Sequence, residues 1–241
     1  MSMLTRFYDY MLQHPKTKRG SWGRWYYCER YVKVLEEIMG NSETLNDVLD
    51  VGCGEGLYAH YLHQRKPSSF YIGCDLSKTS LNRAYKDHNI SYVLCDAHAL
   101  PFRTRSVDLV LCSEVLEHIG SPYQVLTSMC DVSRKAIVIT FPDEPLRRIL
   151  EVRHPEHIST IDLNNIVTKL KSNGYEILKT SVITSFSIPC GILEFLRMPR
   201  NTGTKSFVRL VDLVLKTLLP AILIPYKVIL VVADKIDLKQ S

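Results

Sequence analysis

Apolar runs recur along the chain near residues 46–52, 69–75, 90–95, 107–112, 135–141 and 175–184. The segments between them, near 56–65, 77–87, 121–131 and 160–172, carry helical patterns. Several boundaries are punctuated by capping chemistry: Ser77 before one helix, Ser121-Pro122 before another, and Thr160-x-Asp162 before a third that ends at Asn173-Gly174. Strands alternating with helices predict a parallel sheet covered by helices on both faces, an α/β, Rossmann-like doubly wound arrangement. A further run, Tyr226-Lys-Val-Ile-Leu-Val-Val-Ala233, is apolar on both faces, as a central strand must be.

The most informative residues lie where the apolar runs stop. The first ends in Asp50-Val-Gly-Cys-Gly-Glu-Gly56. Glycines at alternate positions let a strand turn sharply into a helix and let the backbone approach a ligand without Cβ interference. A dinucleotide fingerprint would place its third glycine one residue later, and that slot is Leu57. The next three runs end on Asp75, on Asp96, and on Ser113-Glu114. In a parallel sheet all four endings fall on one edge. Asp108 is the contrast: it opens a strand, away from that edge, and is read as structural.

These residues resemble the class I S-adenosylmethionine-dependent methyltransferases, and more narrowly the small-molecule branch that includes the ubiquinone and menaquinone methyltransferases. The resemblance covers residues 46–180. It implies S-adenosylmethionine as cofactor, with Gly52, Cys53, Gly54 and Gly56 wrapping its methionine part and Asp50 bracing that loop. It also implies that Asp75 takes both ribose hydroxyls, that Asp96 accepts from the adenine amino group, that Leu76, Cys95 and Ala97 frame the nucleoside, and that Ser113 completes the cofactor site. In the family the final strand inserts antiparallel into the sheet, so the expected fold is mostly parallel with an antiparallel last strand.

On this reading residues 41–185 and 226–241 form the cofactor-binding domain, with residues 1–40 as a helical arm before it. Residues 186–225 become a helical insertion before the last strand. The arm carries Lys16-Thr-Lys-Arg19 followed by Trp22, Trp25, Tyr26 and Tyr27, a mixture suited either to an aromatic or anionic ligand or to packing the arm onto the sheet. Within the insertion, Phe207–Leu219 has Arg209, Asp212 and Lys216 on one narrow stripe and is otherwise largely apolar. Such a helix serves as a lid or as a peripheral membrane contact. It does not span a bilayer, because the uncharged run Thr217 to Tyr226 is broken by Pro220 and falls short of the roughly 20 residues required.

Composition narrows the class further. With 241 residues, 46% of them hydrophobic and 23% charged, the chain buries a sizeable core without disulfides or metals. Its seven cysteines include no C-x-x-C pair and fit a reducing compartment. Met1 to Tyr10 lacks an apolar core of signal-peptide length, so a cytoplasmic, or membrane-peripheral, protein is expected. The four cysteines at strand ends, Cys53, Cys74, Cys95 and Cys112, are read as small buried space fillers rather than as a metal cluster. The net charge of +5 is spread along the chain, and no nucleic-acid module is present. The Asn-Pro-Pro-aromatic ending carried by base-amino methyltransferases is replaced here by Ser113-Glu114-Val115-Leu116-Glu117-His118.

Methyl transfer to a hydroxyl needs a base, and His118 and His157 are the candidates, following the fourth and fifth strands. Glu114, Glu117 and His118, spaced i, i+3 and i+4, would share one helical face. Quinone O-methyltransferases carry a similar Glu-x-x-Glu-His and use a divalent ion there, but no metal is assigned to this chain. The expectation is therefore an enzyme that methylates a small-molecule or lipid-linked acceptor, most simply at oxygen. C-methylation of a quinone-type ring or sugar nucleotide, and a non-catalytic cofactor-binding subunit, are the alternatives.

Overall fold

The structure, a computed structural model, describes residues 45–84, 86, 89–143, 157–184 and 227–235. The chain divides into two compact units, one of residues 1–34, 144–153 and 183–228, the other of residues 35–143, 154–182 and 229–241; nearly all described residues belong to the second. The expected arm, residues 1–40, and insertion, residues 186–225 with its helix at 207–219, lie outside the described residues.

Seven strands form one sheet: β1 (Asp47–Val51), β2 (Phe70–Asp75), β3 (Ile90–Leu94), β4 (Val107–Ser113), β5 (Ser133–Asp143), β6 (Tyr175–Thr184) and β7 (Lys227–Lys235). Their order is β3-β2-β1-β4-β5-β7-β6. Adjacent pairs from β3 through β5 are parallel, and the sheet as a whole is mostly parallel with one antiparallel end, as expected. The order reverses direction between β1 and β4, and the crevice outside the strand ends at such a switch point is where open α/β sheets bind ligands. β7 sits between β5 and β6, and Val231, Val232 and Ala233 on it are buried.

The helices among the described residues are α1 (Leu57–Arg65), α2 (Lys78–Asn82), α3 (Pro122–Val132) and α4 (Leu163–Ser172). Their starts follow the sequence signals. Ser77 Oγ accepts from the Ser80 amide at 3.2 Å, and Asp162 Oδ2 accepts from the Asn165 amide at 3.1 Å. Asp162 is thus the cap, so α4 begins at residue 163 rather than 160. Past its end, Gly174 turns the chain at φ 81°. The expected helix over 77–87 stops at Asn82; none of its residues is buried, so no apolar face rewards extending it.

Leu49, Val110, Ile137 and Ile139 on the central strands pack with Leu126 and Met129 of α3 and with Ile166 and Leu170 of α4 in one continuous core. Each such side chain contributes about 1.5–3 kcal/mol on burial. β4 is buried at every position but its last, as befits a strand covered on both faces. Cys53, Cys74 and Cys112 are buried within this layer and Cys95 partly so. Burial pushes all four thiols up, which makes them inert packing groups. No helix among the described residues is long and apolar enough to cross a membrane.

At the amino-terminal edge of the sheet, Asp108 accepts from the Asn46 amide at 2.9 Å and meets Arg134 Nε at 3.0 Å and Lys135 Nζ at 3.2 Å. Burial pushes its carboxyl up, but the amide and the two cations outweigh that and hold it below the ordinary range. Its stabilising contribution is therefore present above the unfolded carboxylate pKa and lost as pH falls through the depressed folded value. Asp108→Ala strands the Asn46 amide and is expected to cost about 1–3 kcal/mol in denaturant unfolding. A variant as stable as the parent at neutral pH would contradict this structural role.

Candidate active site

At the end of β1 three glycines take left-handed conformations in alternation: Gly52 at φ 72°, Gly54 at φ 56° and Gly56 at φ 76°. The amides of Gly52 and Cys53 donate to Cys74 O at 2.8 and 3.0 Å, clamping the loop to the end of β2. A Cβ on Gly52 would collide with the Val115 side chain, and one on Gly56 with the Tyr92 hydroxyl. At Gly54 a Cβ would meet nothing within 4 Å. Two of the glycines are therefore dictated by packing, whereas the middle one faces open space.

Asp75 is the loop's brace. Its Oδ2 accepts from the Gly54 amide at 2.8 Å and its Oδ1 from the Ser77 amide at 2.7 Å. The sequence reading gave the bracing role to Asp50, but Asp50 Oδ2 is buried without a hydrogen-bond partner. Burial, and next the charge of Asp75, push the Asp50 carboxyl up to about 8. Parallel register explains the division of labour: Asp50 pairs with Gly73, one residue short of the edge, whereas Asp75 ends its strand beside the loop.

Asp96 is exposed and caps a short 3₁₀ turn, Ala97–Ala99. Its Oδ1 accepts from the His98 amide at 2.9 Å and lies 2.7 Å from His98 Nδ1. These two interactions hold its carboxyl below the ordinary range. The Cys95 amide donates to Asp75 O at 3.2 Å, tying the third strand end to the second. Leu76, directly after Asp75, is 74% exposed, an apolar side chain presented at the ligand edge. Ser113 Oγ lies 2.7 Å from both Tyr58 Oη and Thr140 Oγ1, so three hydroxyls from α1, β4 and β5 form a chain across the switch point.

Beyond Ser113, Glu114 adopts φ 55°, a left-handed conformation that is uncommon for a side chain of this size. Its amide donates to Thr140 O at 2.9 Å. Residues Leu116–His118 then form a 3₁₀ turn. The expected common helical face of Glu114, Glu117 and His118 does not form, because the left-handed residue breaks the helical path before Glu117. A different set converges instead: Glu117, His118 and His157 offer ligand atoms within 4.8 Å of one another. The two imidazoles meet edge to face with centroids 5.2 Å apart, and Glu117 Oε1 lies 4.0 Å from His118 Nε2. The Ile158 and Ser159 amides donate to Glu117 O at 2.8 and 3.0 Å, which fastens the segment bearing His157 onto the turn after β4. This is the one group among the described residues with the donor set for a metal ion.

Tyr58, Tyr92, Val115 and Thr140 escaped the sequence reading. A signal existed for Tyr92: it sits opposite Gly73 in register, a large residue facing a position where a Cβ would come within 2.9 Å of its ring. The hydroxyl chain had no sequence signal, since its members are 27 and 55 residues apart.

Residues 49–139 match a family model described as a methyltransferase domain. The chain is 34% identical over 85 residues to the ubiquinone biosynthesis O-methyltransferase of Coxiella burnetii, a stretch that is 33% of this chain and 35% of that protein. It is 35% identical over 100 residues to the fatty-acid O-methyltransferase of Mycolicibacterium smegmatis, covering 40% of this chain and 36% of the relative. The matched stretch thus spans about a third of the length of these curated relatives. Among solved structures it is similar to geranyl diphosphate methyltransferase in complex with S-adenosylmethionine, with a TM-score of 0.66 at 16% identity over 95% of each chain. Residues 49–139 thus match a methyltransferase domain, and the strand order and glycine loop resemble those of the class I S-adenosylmethionine-dependent methyltransferases. Within that class it resembles the ubiquinone-type small-molecule branch.

The steric contrast among the glycines is testable. Gly54→Ala is expected to cost about 1–2 kcal/mol, the strain of a left-handed non-glycine residue. Gly52→Ala and Gly56→Ala should lower the melting temperature further, because each also displaces a packed side chain. Equal losses across the three variants would show that Val115 and Tyr92 do not set the loop.

Proposed function

We propose that this chain transfers the methyl group of S-adenosylmethionine to an oxygen of a small or lipid-linked acceptor. The observation that carries the reading is the convergence of His157 with Glu117 and His118, two and three residues beyond Val115, which itself packs on the glycine loop. A proton-accepting group is thereby held next to the loop expected to hold the cofactor.

When bound, the cofactor supplies a methyl carbon activated by its sulfonium. The chain's part is to hold the acceptor in line at about 3 Å, exclude water and remove a proton. Gly52, Cys53, Gly54 and Gly56 would line the methionine end, with Asp50 beneath and Ser113 beside it. Asp75 would accept from the ribose hydroxyls with the lone pairs that the Gly54 and Ser77 amides leave free, since each carboxylate oxygen accepts more than one bond. Leu76, Asp96 and Ala97 would frame the adenine. His157 or His118 would take the acceptor's proton, and Glu117 would favour the imidazolium that results. Residues 1–40 and 186–225 would carry the choice of acceptor, the wide apolar face of 207–219 being the candidate for peripheral membrane contact of an otherwise cytoplasmic enzyme.

A second reading, in which Glu117, His118 and His157 hold a divalent ion that polarises the acceptor, is favoured by their mutual distances of no more than 4.8 Å. Chelation distinguishes the two. Loss of turnover on dialysis against a chelator, restored by magnesium or manganese, would favour the ion, and unchanged turnover the imidazole base.

Asp75→Ala removes contacts worth roughly 1–3 kcal/mol each and is expected to weaken cofactor binding at least tenfold by calorimetry; unchanged affinity would overturn the ribose assignment. His157→Ala or His118→Ala should leave cofactor affinity nearly intact while lowering turnover by about 10²-fold. Full turnover in both variants would instead point to an acceptor that loses no proton to the enzyme, as in methylation at carbon. Absence of any turnover with intact cofactor binding across an extract of candidate acceptors would favour the non-catalytic subunit.

A further inference from the structure

The turn after β3 aims two donors at one oxygen. Asp96 caps the 3₁₀ turn Ala97–Ala99, and for a cap the His98 amide, donating to Oδ1 at 2.9 Å, is sufficient. The His98 imidazole nevertheless folds back to the same oxygen, with Nδ1 at 2.7 Å. Held below the ordinary range by those two bonds, the carboxyl is ionised and has no hydrogen to give, so Nδ1 carries the hydrogen and donates. Both lone pairs of Oδ1 are then occupied. Oδ2 has no hydrogen bond among the described residues, and it belongs to a side chain that is 56% exposed.

The backbone beneath this arrangement is held independently. Ser128 Oγ of α3 donates to His98 O at 2.9 Å, and Cys95, Ala97 and Leu100 pack against the core. Packing therefore sets where the Asp96 backbone lies, but not which way its exposed carboxyl turns. Such a side chain exchanges among staggered rotamers unless something restrains it. The amide alone would let the two equivalent oxygens trade places. A second donor reaching the same oxygen from another direction fixes the plane of the carboxyl and leaves Oδ2 as the oxygen on offer.

Resting on the reading that Asp96 accepts from the adenine amino group, we propose that His98 is the positioning residue for that contact: its Nδ1–H holds Asp96 so that Oδ2 meets the base, which makes the site select a 6-amino purine over a 6-oxo purine. An amino group donates to a carboxylate oxygen, whereas a carbonyl in its place sets oxygen against oxygen. A carboxyl held in one plane cannot turn away from that carbonyl, and one released into solvent can. His98 acts through Asp96, and what it sets is selectivity more than affinity.

The test is titration calorimetry on the full chain with S-adenosylhomocysteine and with S-inosylhomocysteine, in which oxygen replaces the adenine amino group. The parent is expected to prefer the adenine ligand by about tenfold or more, the worth of one hydrogen bond to a charged group. Asp96→Ala should abolish the preference. His98→Ala should cut it to a few-fold or less, with little change in melting temperature. His98→Asn should restore it, because the asparagine Nδ2 stands one bond from Cγ, where the imidazole Nδ1 does, and carries hydrogens. His98→Gln, whose amide lies one bond farther out, should not. A full preference in His98→Ala, where Asp96→Ala has lost it, overturns the role of His98 and leaves the Asp96 reading intact. So does a loss in His98→Ala that His98→Asn fails to restore. A preference that survives in Asp96→Ala, or is missing from the parent, overturns the Asp96 reading and this proposal together, as does failure of both ligands to bind the parent. If His98→Ala does not fold, the comparison of His98→Asn with His98→Gln on the same two ligands decides.

Discussion

The site depends on how one strand ends. β1 runs into the middle of the sheet and must reverse into α1 within five residues, without leaving buried amides unpaired. Left-handed turns at Gly52, Gly54 and Gly56 achieve the reversal. The Gly52 and Gly54 amides are taken up by Cys74 O and by the Asp75 carboxylate, both on the neighbouring strand, and the Gly56 amide by Cys53 O within the loop. The same compression brings Val115 against Gly52 and Tyr92 beneath Gly56, so the ends of β3 and β4 are positioned by contact with the β1 turn. The loop that would hold the cofactor and the turn that carries the candidate bases are thus mechanically one object.

Charge is distributed unevenly across the two edges of the sheet. At the amino-terminal edge Asp108 is matched by Arg134, Lys135 and a backbone amide. At the carboxyl edge Asp50, Asp75, Asp96, Glu114 and Glu117 gather, and Asp50 has no basic partner among the described residues. A chain with a formal net charge of +5 therefore presents a locally acidic crevice. Desolvation makes such an arrangement of carboxyls costly.

The hydroxyl chain of Tyr58, Ser113 and Thr140 and the cluster of Glu117, His118 and His157 share one property. Each joins residues from segments far apart in sequence at the point where β1, β4 and β5 end together. Fold relatives at low identity share the sheet that creates this meeting point.

The strand and helix order, the parallel sheet and the glycine loop were legible in the sequence because each is a local property: apolar periodicity, capping residues and glycine spacing act within a few residues of one another. So were the strand-end carboxylates, since parallel pairing brings every strand end to one edge. What each carboxylate does there was not legible. That Asp75 braces the loop while Asp50 is left unsatisfied follows from the register of β1 on β2, which sets Asp50 opposite Gly73, two residues before Asp75. The helical face proposed for Glu114, Glu117 and His118 failed for a related reason. A left-handed residue at the strand exit, held by the Glu114 amide on Thr140, redirects the chain, and His157 takes the third place across 38 residues of intervening sequence. Spacing along a chain specifies neighbours only while the backbone stays regular; once it leaves the strand, backbone hydrogen bonds to other strands decide which side chains meet.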